Sequence, residues 1–179
     1  MNWLKLLDRI GVEESEPDHS TLSQLQYRAL LTLTFENIDI HLDRPILLNY
    51  DAFYAKIVTG DRGGFCYELN ECLCQCLSAV GYDVERLECR VELRESGSSF
   101  DHQITLVRID GFRWMADIGF GDSTIVPLNL DERYPQTDGR SWFRVNEWGD
   151  HLQLSLLGEA GGWSKMLTLN MVPQQRLPM

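Results

Sequence analysis

Three residues, Cys66, His102 and Asp117, have the types and spacing for nucleophilic chemistry. Cys66 follows Gly63-Gly64-Phe65 and opens a segment in which Leu69, Leu73, Cys76, Leu77 and Val80 recur on one helical face. A cysteine in the first turn of a helix sits beside unpaired backbone N–H groups at the positive end of the helix dipole. Both favour thiolate over thiol. A free thiol ionises near pH ~8.5, so this help matters at neutral pH. The two glycines allow a tight turn and leave the sulfur approachable. A lone free cysteine is more often a small buried apolar residue, so the assignment needs a base.

Of the four histidines, His102 is the candidate. His19 falls in a polar loop, and His41 and His151 flank turns and read as surface residues. Asp110-Gly111 is a signature of a two-residue hairpin turn, which pairs Ile109 with Phe112. Continuing that register sets His102 opposite Gly119 and Asp117 opposite Ile104. His102 and Asp117 are then diagonal neighbours on one face, roughly 7–8 Å apart at the backbone. Asp117 can hold one ring nitrogen while the other faces the nucleophile. Gly119 and Gly121 are expected to leave room beside the ring. Glu68 and Asn70 follow Cys66 too closely to orient its base, and Glu68 is expected to support the glycine loop through Arg62. Cys72, Cys74 and Cys76 share one helix, a spacing that cannot wrap a tetrahedral metal without distant ligands, so no metal site is expected.

These residues need a helical scaffold followed by a sheet. Trp3, Leu4, Leu7 and Ile10 share a helical face that Gly11 ends. Thr21 with Gln24 forms a capping box before Leu22, Leu25 and Ala29. Asp51 is placed to cap a short helix through Val58, with Phe53 and Ile57 one turn apart and Gly60 closing it. Gly81 ends the Cys66 helix. Beyond it the period changes to two: Leu87, Cys89, Val91 and Leu93 alternate with charged residues. Further strands are expected near 103–109, 112–116, 141–147, 151–157 and 163–169, with a turn at Trp148-Gly149 and exposed loops at 95–99 and 131–140. The predicted fold class is α+β: a helical domain, residues 1–81, carrying the nucleophile, then an antiparallel β-barrel or sandwich, residues 82–179, carrying His102 and Asp117.

The net charge of −11 argues against nonspecific nucleic-acid binding. It also repels anionic coenzymes at long range, so a phosphate-bearing donor would need a local basic pocket. No apolar run is long enough to span a bilayer and no signal-peptide pattern opens the chain. The five cysteines are odd in number and clustered, unlike a secreted disulfide scaffold. The expected location is the cytoplasm.

Four segments resemble the arylamine N-acetyltransferases. Arg62-Gly63-Gly64-Phe65-Cys66-Tyr67-Glu68-Leu69-Asn70 is similar to the family signature, and Phe35-Glu36-Asn37-Ile38-Asp39 to an upstream segment. His102 with Ile104, Leu106 and Val107 resembles the histidine strand, and Ala116-Asp117-Ile118-Gly119-Phe120-Gly121 the aspartate segment. The resemblance implies a cysteine-proteinase-like acetyltransferase fold in which a helical bundle and β-barrel precede an α/β lid. The chain stops where such a lid would begin, so the expected architecture has the lid missing. It implies a Cys66-His102-Asp117 triad and ping-pong transfer of acetyl from acetyl-CoA, as co-substrate, to an arylamine, N-hydroxyarylamine or hydrazine. By the same resemblance, Phe35, Phe65, Phe120 and Gly121 bind substrate. Two other readings fit: an amide synthase moving a larger acyl chain to an aryl amine, and an inactive remnant serving as a binding module. Surface left by a missing lid could become a homo-oligomer interface.

Overall fold

The computed structural model describes residues 1–92, 100–121 and 123–174. The expected strand residue Leu93, the expected loop 95–99, Asp122 and the tail beyond 174 lie outside the described residues.

Helix α1, Lys5–Ile10, ends on Gly11, whose φ of 66° suits a residue without a Cβ. Helix α2, His19–Thr32, begins a turn earlier than the Thr21 capping box predicts. Asp18 is the cap, its carboxylate accepting the Thr21 N–H at 2.7 Å, so Thr21 occupies the first turn instead. His19 is accordingly a helix residue rather than a loop residue, though still exposed. After the short turn α3, Ile38–His41, helix α4, Tyr50–Phe53, is capped by Asn49 through the Ala52 N–H at 2.9 Å, not by Asp51. It runs on as a π-helical turn, Tyr54–Val58, and buries Phe53 and Ile57. Helix α5 spans Cys66–Val80 and ends on Gly81.

Eight strands follow: β1 Asp83–Val91, β2 His102–Ile109, β3 Phe112–Ala116, β4 Leu128–Asn129, β5 Gln136–Thr137, β6 Trp142–Trp148, β7 His151–Leu157 and β8 Trp163–Asn170. They form one antiparallel sheet in the order β4-β3-β2-β1-β8-β7-β6-β5, curled into a nearly closed barrel. Between the edge strands, a side chain stands in for the missing ladder. The Gln136 amide accepts from the Asn129 N–H at 2.9 Å and donates to the Asn129 carbonyl at 2.8 Å. Part of the expected 131–140 loop is therefore the edge strand β5, and Asp138 beyond it is buried, accepting the Ile125, Arg140 and Ser141 N–H groups. Strand β1 starts at Asp83, earlier than its apolar alternation shows, because its second face packs a polar pair: Arg86 lies buried against Glu71 of α5.

The Asp110-Gly111 turn has φ of 51° and 81°, both positive as such a turn requires, and pairs Ile109 with Phe112 through to Thr105 with Ala116. Two apolar cores meet across β2. Val107 and Ile109 face the helices with Leu22, Leu25, Phe53, Leu69 and Leu73. Ile104 and Leu106 face the barrel interior with Leu87, Cys89, Phe143 and Leu154. This two-sided burial leaves every residue of β2 but Arg108 buried, polar His102, Gln103 and Thr105 included.

Candidate active site

Cys66 is the first residue of α5, half-buried, and its approach is set by close backbone contacts. Phe35 and Gly64 form a parallel bridge, with the Glu36 N–H donating to Gly64 O at 2.9 Å and the Gly64 N–H to Thr34 O at 3.2 Å. A Cβ on Gly63 would lie 1.8 Å from the Thr34 carbonyl oxygen. These glycines serve close approach; neither has positive φ. Glu68 accepts the Phe65 N–H at 3.0 Å, which holds the entry to the helix. Its cationic partner is Lys56 at 2.8 Å rather than the expected Arg62. Arg62 instead reaches Glu36 at 2.8 Å and Asp39 at 3.0 Å, and pushes the Asp39 carboxyl down to about 2. The two sequence segments flanking the cysteine are thus tied by charge as well as by backbone.

His102 and Asp117 meet as the hairpin register predicts, although the ladder itself ends one residue before Asp117. His102 Nε2 lies 2.8 Å from Asp117 Oδ2, with both side chains buried. The other aspartate oxygen accepts the Gly119 N–H and the Asn70 amide, each at 2.8 Å. Asn70 is fully buried one turn beyond Cys66. It also donates to the Gln103 carbonyl and accepts the Ile118 N–H at 2.9 Å. Expected to follow Cys66 too closely to orient its base, Asn70 instead fixes the carboxylate that holds the base. A polar residue on the otherwise apolar face of α5 was the signal for it.

With Nε2 engaged by Asp117, the Nδ1 side of the ring is left for the sulfur. Burial alone would lower the basicity of His102. The charge and hydrogen bond of Asp117, with hydrogen bonding and charge from Cys66 behind them, outweigh that and push it up to about 10. Gly119 borders the cavity beside the ring and also seats its loop on the nucleophile helix. A Cβ there would lie 2.7 Å from Cys66 Cα and 2.8 Å from the Asn70 amide nitrogen. Gly121 does open onto free space.

A cavity of about 340 Å³ opens at the sulfur, lined by Phe35, Cys66, Val91, Asp101, His102, Gly119, Phe120 and Gly121. Phe120 stacks obliquely by His102, ring centroids 5.7 Å apart. Phe65 is not among the lining residues; its ring packs near Tyr67 at 6.0 Å. Burial pushes the thiols of Cys72 and Cys89 well up and that of Cys76 up to about 12, so these three are structural. Among the described residues no cluster of His, Cys, Asp and Glu could hold a metal ion, and no helix is long and apolar enough to cross a membrane.

A buried His–Asp pair set against a helix-initiating cysteine has the geometry to activate a thiol nucleophile. The N-acetyltransferase family model matches residues 18–177. The arylamine N-acetyltransferase of Mycolicibacterium smegmatis is 31% identical over 182 residues, covering 97% of this chain and 66% of that protein. The structure of the arylamine N-acetyltransferase from Salmonella typhimurium superimposes with a TM-score of 0.91 at 27% identity, covering 98% of this chain and 65% of the other. That of the Mycobacterium marinum enzyme in complex with CoA gives 0.84 at 26% identity, covering 96% and 66%. The chain belongs to the arylamine N-acetyltransferase family. It spans about two thirds of the length of these relatives.

Proposed function

We propose that the chain transfers an acetyl group from acetyl-CoA, through a thioester on Cys66, to an arylamine, N-hydroxyarylamine or hydrazine. The contact of His102 Nε2 with Asp117 at 2.8 Å beside the first turn of α5 carries this reading. His102, its basicity raised by Asp117, is placed to take the thiol proton. The sulfur then attacks the acetyl carbonyl. N–H groups of the first helical turn, which lack intrahelical acceptors, are suited to the developing oxyanion. Collapse breaks the donor's C–S bond, and the leaving coenzyme thiolate takes the proton from His102. In the second half the amine attacks the thioester, gives its proton to His102 and releases Cys66. Phe35, Phe120 and Gly121 border the acceptor. The free cysteines suit a reducing compartment, so we place this activity in the cytoplasm.

Intact-mass measurement after incubation with acetyl-CoA should show one added acetyl group, absent from Cys66→Ala. Failure of the folded protein to form an adduct with any acyl-CoA overturns the reading.

A further inference from the structure

Glu68 and the nucleophile share one helix end. Cys66 and Glu68 both belong to the first turn of α5, where unpaired backbone N–H groups favour negative charge. The Glu68 carboxylate takes up that end by accepting the Phe65 N–H at 3.0 Å. It is buried, and a Cβ on Gly64 would lie 2.8 Å from its oxygen, so it sits tight against the glycine loop. Its charge reaches another thiol of the helix: burial first, then the charges of Glu71 and Glu68, raise the Cys72 thiol. A carboxylate left uncompensated in this place would oppose a thiolate at Cys66.

Lys56 supplies the compensation. Its Nζ lies 3.0 and 2.8 Å from the two Glu68 oxygens, 3.2 Å from Asp39 and 3.4 Å from Glu36. The lysine stands in the π-helical turn Tyr54–Val58, a conformation that recurs at functional sites. Its carbonyl accepts the Arg62 N–H at 3.2 Å, so the residue also holds the glycine loop through the backbone. The ammonium and the Glu68 carboxylate are only 12% and 6% exposed, so solvent screens them little. Burial works against the ammonium, but hydrogen bonds to Glu68 and Asp39 and the charges of Glu68 and Glu36 outweigh it and raise its pKa. Lys56 is therefore cationic throughout the neutral range. Arg62 is engaged by Glu36 and Asp39 instead, and Arg44 reaches Asp39 from outside at 3.4 Å.

We propose that Lys56 is a positioning residue acting through Glu68: it cancels the charge of the carboxylate that caps α5, so the helix end is left to favour the Cys66 thiolate. The proposal rests on the acyl-transfer reading above, in which that thiolate is the nucleophile. The other charged and titratable groups around the sulfur are His102 with Asp117 from the barrel, Asp101 ahead of β2, and Tyr67 with Glu88 beyond it. Changing Lys56 or Glu68 leaves all of them in place. Lys56→Met and Glu68→Gln each break the same ion pair, yet they alter the charge beside the thiol in opposite directions. A role in packing alone has no such sign.

The rate of Cys66 alkylation by iodoacetamide across pH, read by intact mass, tests this without an acyl donor. In Lys56→Met the acid limb of the profile should move to higher pH by about one unit, and in Glu68→Gln it should move to lower pH by a similar amount. The Lys56→Met/Glu68→Gln double variant should return the limb close to its wild-type position although the ion pair is gone, because the glutamine oxygen still accepts the Phe65 N–H. Lys56→Arg should keep it there as well. Single variants that move the limb in the same direction or not at all, or a double variant displaced as far as Lys56→Met, would overturn the proposal and leave the pair a structural anchor. If Lys56→Met fails to fold, the direction of the shift in Glu68→Gln decides alone. Acetylation of wild-type Cys66 by acetyl-CoA tests the underlying reading separately. An adduct without the opposed shifts removes only the role of Lys56, whereas opposed shifts without an adduct remove only the acyl transfer.

Discussion

Replacing Asn70 by alanine should lower stability and shift the pH profile of Cys66 reactivity, by separable amounts. The amide makes three buried hydrogen bonds: to Asp117, to the Gln103 carbonyl, and from the Ile118 N–H. Asp117 Oδ1 keeps the Gly119 N–H, but Ile118 N–H loses its acceptor inside the protein. An unmade buried hydrogen bond costs about 1–3 kcal/mol, so the three together cost about 3 kcal/mol or more. For a chain of this size that is a fall in Tm of about 6–12 °C. The carboxylate that holds His102 also becomes less constrained. If about half of one charge-assisted bond is lost to the His102–Asp117 pair, the basicity of His102 falls by about one unit, equivalent to ~1.4 kcal/mol. The assay is the rate of Cys66 alkylation by iodoacetamide between about pH 5 and pH 10, read by intact mass; the thiolate is the reacting form. The buried Cys72, Cys74, Cys76 and Cys89 should stay unmodified. At neutral pH His102 stays protonated in both proteins, so below the melting point the variant's alkylation profile should depart from wild type on the alkaline limb, by about one pH unit. A lower Tm with an unchanged alkylation profile would refute the reasoning and leave Asn70 a purely structural residue.

Other substitutions probe the same construction. Gly119→Ala puts a methyl group 2.7 Å from Cys66 Cα, so the loop must move; a loss of about 1–3 kcal/mol in urea unfolding should accompany loss of acetyl transfer. Removing the side chain that closes the barrel, in Gln136→Leu, should cost about 1–2 kcal/mol and raise amide exchange at Leu128 and Asn129 while leaving β2 protected. Arg86→Met strands the buried Glu71 carboxylate and should destabilise by about 3–5 kcal/mol, checked by denaturant midpoint. The His102–Asp117 pair makes stability depend on pH. Because folding raises the His102 pKa from 6.5 to about 10, its contribution is complete below about 6.5 and is lost as pH rises towards 10. The denaturation midpoint of the wild type should fall across that window more steeply than that of His102→Gln; parallel curves would show that the pair is not coupled to folding.

What the sequence made legible was the part governed by local geometry. A two-residue turn with positive φ at both positions fixes a hairpin register, and register fixes which side chains share a face. His102 and Asp117 could therefore be brought together by counting. Asn70 could not, because its partners come from Gln103, Asp117 and Ile118, far along the chain, and an asparagine inside a helix has no local reason to be there. Its position on a buried apolar face was itself informative, since such a residue must find polar partners. The same logic applies to Glu71, also buried on α5, whose partner Arg86 sits on what looked like the solvent face of β1. The two-residue strands β4 and β5 carry too few residues for an alternating pattern to register, and their pairing runs partly through a glutamine side chain. Two of these hidden features converge on one helix. α5 presents the thiol at its first residue and the amide that fixes the aspartate one turn on, with a buried glutamate anchoring it to the barrel. The triad distance is then set by how a single rigid helix packs on β1 and β2, so mutations at Asn70 or Arg86 should reach the chemistry without touching the substrate.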